Sequence, residues 1–158
     1  GIVLCRERHP VFPESDVMEN LRIAGYLRTR AEKKAGMEQA FRLFPALEKL
    51  KTRKAGFLSG GEQQMLAIGM ALVVRPELLL LDEPLLGLSP MMQKLLVEAI
   101  VALRDDSGIT VALSEQFARP VLPIIDFGYV IENGMLSLTG TGEELMDNSE
   151  VKAAYFGV

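Results

Sequence analysis

Residues 78–81 are four consecutive leucines, and Asp82, Glu83 and Pro84 follow them directly. A half-solvated strand would alternate apolar and polar residues, and a membrane span needs roughly 20 apolar residues, so this run fits neither. It suits a strand buried on both faces that surfaces at two carboxylates, with Pro84 ending it. Such strands belong to parallel sheets covered by helices. A second apolar run, residues 109–113, follows Gly108, and Met92, Leu95, Leu96, Ala99 and Leu103 recur between the two at helical spacing. The order strand, helix, strand predicts an α/β fold with a parallel sheet and crossover helices. Residues 2–5 are a third short apolar run, read as another buried strand.

The position of the two acids restricts their chemistry. In open parallel sheets, ligands bind outside the carboxyl ends of the strands. Neighbouring strand residues point to opposite faces, so Asp82 and Glu83 can do different work. An aspartate there is suited to Mg²⁺, directly or through water. A glutamate beside it could accept a proton from an attacking water. An acidic turn that merely caps the next element remains open for this motif alone.

A second motif precedes this strand by one helix: Leu58-Ser59-Gly60-Gly61-Glu62. Bare glycines let backbone amides at a helix start approach a ligand, where the positive end of the dipole favours a phosphate. The Ser59 hydroxyl would be one more donor. A serine N-cap followed by glycines explains the same residues without a ligand. The helix carries Met65, Ile68, Gly69 and Leu72 on one side and ends near Pro76.

Elsewhere, Pro10 and Pro13 mark a loop, and Asp16 with Glu19 reads as a capping box before Val17, Leu21 and Ala24. Met37, Ala40, Phe41 and Phe44 share a helix face, and Pro45 bends or restarts it. Asn133-Gly134 between two apolar runs predicts a hairpin. Thr141 and Glu144 predict a further capping box. The expected organisation is residues 1–13 as an entry loop region, 14–57 as a helical subdomain, 58–125 as the core with both motifs, and 126–158 as a C-terminal hairpin and helices.

Composition narrows the partners. The 158 residues carry a formal charge of -4, so no basic footprint points to nucleic acid. Lys49, Lys51, Arg53 and Lys54 read as a solvated helix end. Cys5, the single cysteine, sits in an apolar run and reads as a small core residue. His9 reads as a solvated side chain. The first residue is Gly1 and the chain opens directly on a strand, so it reads as the middle of a longer chain.

Taken together, the two motifs in this order and spacing resemble the ATPases of ABC transporters. The resemblance is greatest to the ATP-binding subunits of branched-chain amino acid importers, with urea and short-amide importers similar. It runs through Val11-Phe12-Pro13, Glu19-Asn20-Leu21, residues 58–69 and 78–84, Gly87-Leu88-Ser89-Pro90, Ser114-Glu115-Gln116, Glu132-Asn133-Gly134 and Gly140-Thr141-Gly142-Glu143-Glu144-Leu145.

The resemblance implies the C-terminal part of a P-loop NTPase fold, with ATP and Mg²⁺ as cofactors. Leu58, Ser59, Gly60, Gly61 and Glu62 would cover the γ-phosphate of ATP bound by a second subunit in a head-to-tail dimer. Asp82 would hold Mg²⁺ and Glu83 would be the general base. Residues 86–90, with Ser89, would line the dimer seam. Gln116 stands where most of these ATPases carry a switch histidine; it could hydrogen-bond the γ-phosphate but carries no positive charge. Glu7 falls at the Q-loop glutamine and could still reach Mg²⁺. Arg6, Arg8 and His9 depart from the usual loop, and Met70 stands in place of an arginine.

The implied partners are permease subunits and, indirectly, an extracytoplasmic binding protein, at the cytoplasmic face of the membrane. No Gly-x-x-x-x-Gly-Lys-Ser/Thr string occurs in these 158 residues. The chain is therefore expected to be a fragment without the phosphate cradle, inactive alone and with apolar sheet surface left open; whether it counts as an enzyme stays undecided. An ATP-independent docking module is the alternative. A DNA- or ribosome-directed ABC ATPase is disfavoured by the absence of heptads, basic surface and a duplicated cassette.

Overall fold

A computed structural model describes residues 1–7 and 10–156. Arg8 and His9 lie outside the described residues. Two compact units divide the chain, Gly1–Glu115 and Gln116–Val158. The division falls ten residues before the 125/126 boundary read from the sequence.

The first unit is built on a three-stranded parallel sheet, β1 (Ile2–Cys5), β2 (Leu78–Asp82) and β3 (Thr110–Ser114), in that order. Between β1 and β2 come α1 (Val17–Ala24), α2 (Arg30–Leu43), α3 (Pro45–Lys49), a 3-10 turn at Ala55–Phe57, and α4 (Gly60–Val73). The predicted Asp16–Glu19 capping box starts α1, and Pro45 opens α3 at its first turn. Asn20 is fully buried and pins the preceding loop: its side chain accepts from the Phe12 amide at 2.7 Å and donates to the carbonyls of Phe12, Ser15 and Asp16.

Helix α4 is the centre of this unit. The expected one-sided stripe is too narrow, because nearly every residue from Gln64 to Val73 is buried except Met70. A helix apolar all round belongs in an interior. Here α1 supplies Val17 and Leu21, α2 supplies Ala40, and Phe44 and Leu47 complete the packing. Helix α5 (Pro90–Ser107) crosses from β2 to β3 and buries Leu96, Ala99, Ile100 and Leu103. Ile100 takes the place expected for Leu95, which is exposed.

The strands form as predicted, but their burial on both faces does not hold. Register places Ile2, Leu4, Leu78, Leu80, Thr110 and Ala112 on one face. That face is open, with Ile2 70% and Leu4 51% exposed, whereas Cys5, Leu79 and Leu81 on the other face are buried. A continuous apolar run hides which face its neighbours cover; only packing decides that. Burial raises the Cys5 thiol pKa to about 11, which keeps it protonated and inert.

The second unit holds a 3-10 turn (Leu122–Ile124), the antiparallel hairpin β4 (Gly128–Glu132) and β5 (Met135–Gly140), α6 (Gly142–Asp147) and α7 (Ser149–Val151), followed by a π-helical turn. Asn133 and Gly134 have φ of 50° and 76°, as a two-residue hairpin turn requires. Leu122, Leu145 and Val151 form its core with Val130 and Leu138 packed on them. Tyr129, Ile131 and Leu136 are exposed.

Candidate functional site

All three parallel strands end at one edge of the sheet, where Asp82, Glu83 and Glu7 of the first unit lie. Asp82 closes β2, Ser114 closes β3, and Glu7 lies two residues beyond β1. Asp82 is paired in register with Ser114, whose hydroxyl donates to Asp82 Oδ1 at 2.8 Å. Asp82 is exposed, so its carboxylate meets solvent while one oxygen is held in place.

Glu83 leaves the strand in an unusual way. Its amide donates to the Ser114 carbonyl at 3.0 Å, and its φ is 44°. A non-glycine residue in the left-handed region costs about 1–3 kcal/mol and persists where its surroundings impose it. The next turn is anchored by Leu85, which is buried and whose amide donates to Glu115 Oε1 at 2.7 Å. The Leu86 amide reaches back to the Glu83 carbonyl at 3.2 Å. Gly87, at φ 71°, then redirects the chain to Ser89, the N-cap of α5, with Pro90 in its first turn.

Glu115 is half-buried, and this desolvation is the main reason its carboxyl pKa is raised. The hydrogen bond from Leu85 works against the rise, and the nearby Glu83 charge adds to it.

The signature Leu58-Ser59-Gly60-Gly61-Glu62 sits at the start of α4. Leu58 is buried and Ser59 is the N-cap. Ser59 Oγ accepts from the Glu62 amide at 3.3 Å, and Glu62 Oε2 accepts from the Ser59 amide at 2.8 Å and from its hydroxyl at 2.9 Å. The hydroxyl proton is therefore committed to Glu62, and donation to an outside oxygen requires breaking that bond. Gly61 faces Met92 of α5, where an added Cβ would come within 2.6 Å of the Met92 methyl carbon. This contact joins the start of α4 to the start of α5, next to Ser89. An added Cβ on Gly60 meets nothing within 4 Å.

The sequence reading found Asp82, Glu83, Glu7 and the signature, and the structure brings the first three to one sheet edge. Gln116 is the first residue of the second unit. Ser114 and Glu115 carry no sequence signal beyond motif resemblance, and the left-handed Glu83 has no local pattern that predicts it. Strand β3 runs parallel to β2, so the polar residues that end it could have been read as facing Asp82.

Among the described residues, no three His, Cys, Asp or Glu side chains converge as a metal cluster. Mg²⁺ commonly takes one or two carboxylates and completes its shell with water and phosphate oxygens. An exposed, oriented Asp82 fits that partial role. These residues contain no lysine-and-amide cradle for the β- and γ-phosphates. None of the described helices is long and apolar enough to cross a membrane.

Residues 1–86 match the ABC transporter family. The chain is 43% identical over 157 residues to the high-affinity branched-chain amino acid transport ATP-binding protein BraG of Pseudomonas aeruginosa, covering 99% of this chain and 67% of that protein. It is 38% identical to the probable branched-chain amino acid transport ATP-binding protein LivF of Archaeoglobus fulgidus, over the whole chain and 67% of that protein. Among solved structures, the ADP conformation of MJ1267, an ATP-binding cassette of an ABC transporter, matches at TM-score 0.78 and 30% identity, over 100% of this chain and 69% of that one. Clostridium perfringens cbiO1, part of the transporter complex cbiONQ, matches at TM-score 0.80 and 27% identity, over 96% of this chain and 60% of that one. The chain thus spans about two thirds of the length of these relatives.

Proposed function

This chain belongs to the ABC transporter family, and from that premise we propose that it is part of an ATP-binding subunit that couples ATP hydrolysis to import of branched-chain amino acids or related small amides. The observation that carries the reading is the sheet edge, where Ser114 holds both the Asp82 carboxylate and the Glu83 amide. The names of the relatives favour this reading over an ATP-independent docking module.

In this reading Asp82 is a Mg²⁺ ligand, with Glu7 as a second carboxylate at the same edge. Bound Mg²⁺ would supply charge neutralisation for the phosphates. Glu83 takes the proton of the attacking water, and its imposed backbone conformation sets the direction of the carboxylate. Gln116 offers a neutral amide to the γ-phosphate. Leu58, Ser59, Gly60, Gly61 and Glu62 present the start of α4 to nucleotide on a second ATPase subunit, and Ser89 lies at the seam. Gly60 supports this role, because the fold gives no steric reason for a bare residue there. Permease subunits would receive the coupled motion at the cytoplasmic membrane face, with a substrate-binding protein upstream.

Glu83→Gln in the whole protein, assembled with its permeases in proteoliposomes, tests the central assignment. Turnover and leucine uptake should fall by about 10²- to 10⁴-fold while nucleotide binding persists. Turnover equal to wild type would remove Glu83 from the base role. Urea accumulating in place of leucine would move the substrate assignment to the short amides.

A further inference from the structure

The end of β3 grips the segment after Asp82 at two points. Ser114 supplies the first, with its hydroxyl on Asp82 and its carbonyl on the Glu83 amide. Glu115 supplies the second, through Oε1 on the Leu85 amide at 2.7 Å. Leu85 is held on every side: its side chain is buried, and its carbonyl accepts from the Leu88 amide at 3.3 Å and from Gln93 Nε2 at 3.4 Å. Between the two grips lie Glu83, at φ 44°, and Pro84, whose ring fixes its own φ.

A left-handed glutamate needs constraint from both directions. The amide of Glu83 is fixed from one side by Ser114. From the other side the chain is fixed at Leu85, and the Glu115 carboxylate closes that end. Its position is a costly one for an acid, since it is half-buried and near the Glu83 charge, both of which disfavour its ionised form. An apolar side chain would occupy the same place without that cost. What an apolar side chain could not do is accept the Leu85 hydrogen bond.

We propose that Glu115 is a positioning residue for Glu83: its hydrogen bond to the Leu85 amide holds the turn that keeps Glu83 in its left-handed conformation. The proposal rests on the reading of Glu83 as the general base. It places the end of β3, immediately before Gln116, in control of how the base is presented.

The test compares Glu115→Met, of similar length but with no oxygen acceptor, with Glu115→Gln, which keeps an acceptor and loses the charge. Both are made in the whole protein assembled with its partners. Glu115→Met should lower kcat by about tenfold or more with the KM for ATP within about twofold, and Glu115→Gln should keep at least about a third of kcat. Leu85 amide exchange should accelerate by about tenfold or more in Glu115→Met and stay within about threefold of wild type in Glu115→Gln. An unchanged kcat in Glu115→Met, an equal loss in both variants, or Leu85 exchange that does not respond would overturn the proposal. Should Glu115→Met not fold, protection at Leu85 in both wild type and Glu115→Gln supports the clamp, and unprotected exchange there overturns it. Glu83→Gln in the same assay reads the base assignment separately, because Leu85 exchange reports the clamp whichever residue takes the proton.

Discussion

Two helices of this chain begin with nearly the same residues in unlike surroundings. Helix α4 starts Ser59-Gly60-Gly61-Glu62, and α6 starts Thr141-Gly142-Glu143-Glu144. Both use a reciprocal capping box. Glu62 Oε2 accepts from the Ser59 amide at 2.8 Å, and Glu144 Oε2 accepts from the Thr141 amide at 2.8 Å. The glycine that follows each cap separates them. At Gly142, an added Cβ would collide with the Leu122 carbonyl and lie 2.8 Å from that of Ile125. At Gly60 it would stand in open space. The fold requires Gly142 and leaves room for a side chain at Gly60, so packing does not account for Gly60. A capping box therefore marks a helix start and nothing more; the surroundings of the next residue separate packing from recognition.

The comparison can be broken most directly at Gly142. Gly142→Ala forces backbone carbonyls apart and should destabilise the second unit by about 1–3 kcal/mol, read by urea unfolding. Unchanged stability there would erase the contrast. A smaller effect sharpens it: Ser59→Ala and Thr141→Ala each remove a cap and should each cost about 1 kcal/mol. Only Ser59→Ala should also lower ATP turnover in the assembled protein. Equal turnover in the two variants would reduce the signature serine to its capping role.

The smallest effect is the pH response of the caps. Glu144 titrates below the usual glutamate range, first because its carboxylate accepts the Thr141 amide and then the Thr141 hydroxyl. Glu32 is lowered likewise by the Thr29 hydroxyl and then the Thr29 amide. A lowered folded pKa means that the capping contribution is complete above the unfolded value and is lost as pH falls through the folded one. Side-chain NMR titration should show the Glu144 pKa rising only part of the way back in Thr141→Ala, because the hydroxyl is lost while the amide of residue 141 can still donate. The same pKa in both proteins would detach the shift from the cap.

The capping boxes were legible because each is a local pattern of two side chains three residues apart. The hairpin turn at Asn133-Gly134 was legible because few residues accept two positive φ values. The parallel sheet followed from the order of apolar runs. Which face of the sheet is covered was not legible, because the alternation in residues 78–81 is invisible when all four are leucine; the apolar sheet surface expected to stay open is the face of Ile2 and Leu4. At the site, Asp82 and Glu83 could be read from their place after a strand. Ser114 and Glu115 could be placed near Asp82 only through the parallel order of β2 and β3; their contacts, to Asp82 and to Leu85 some 30 residues earlier, carry no local pattern. The left-handed Glu83 lies between those same contacts.

The measurement that bears most directly on the central contrast is Gly60→Ala, scored for stability and turnover on the same preparation. The fold should be unaffected or gain up to roughly 1 kcal/mol, since alanine loses less entropy on folding. ATP turnover of the assembled protein should fall by about 10²-fold, because a methyl group would hold the partner's phosphate away from the amides of α4. Full turnover with unchanged stability would contradict the account, leaving Gly60 with no role in gripping nucleotide.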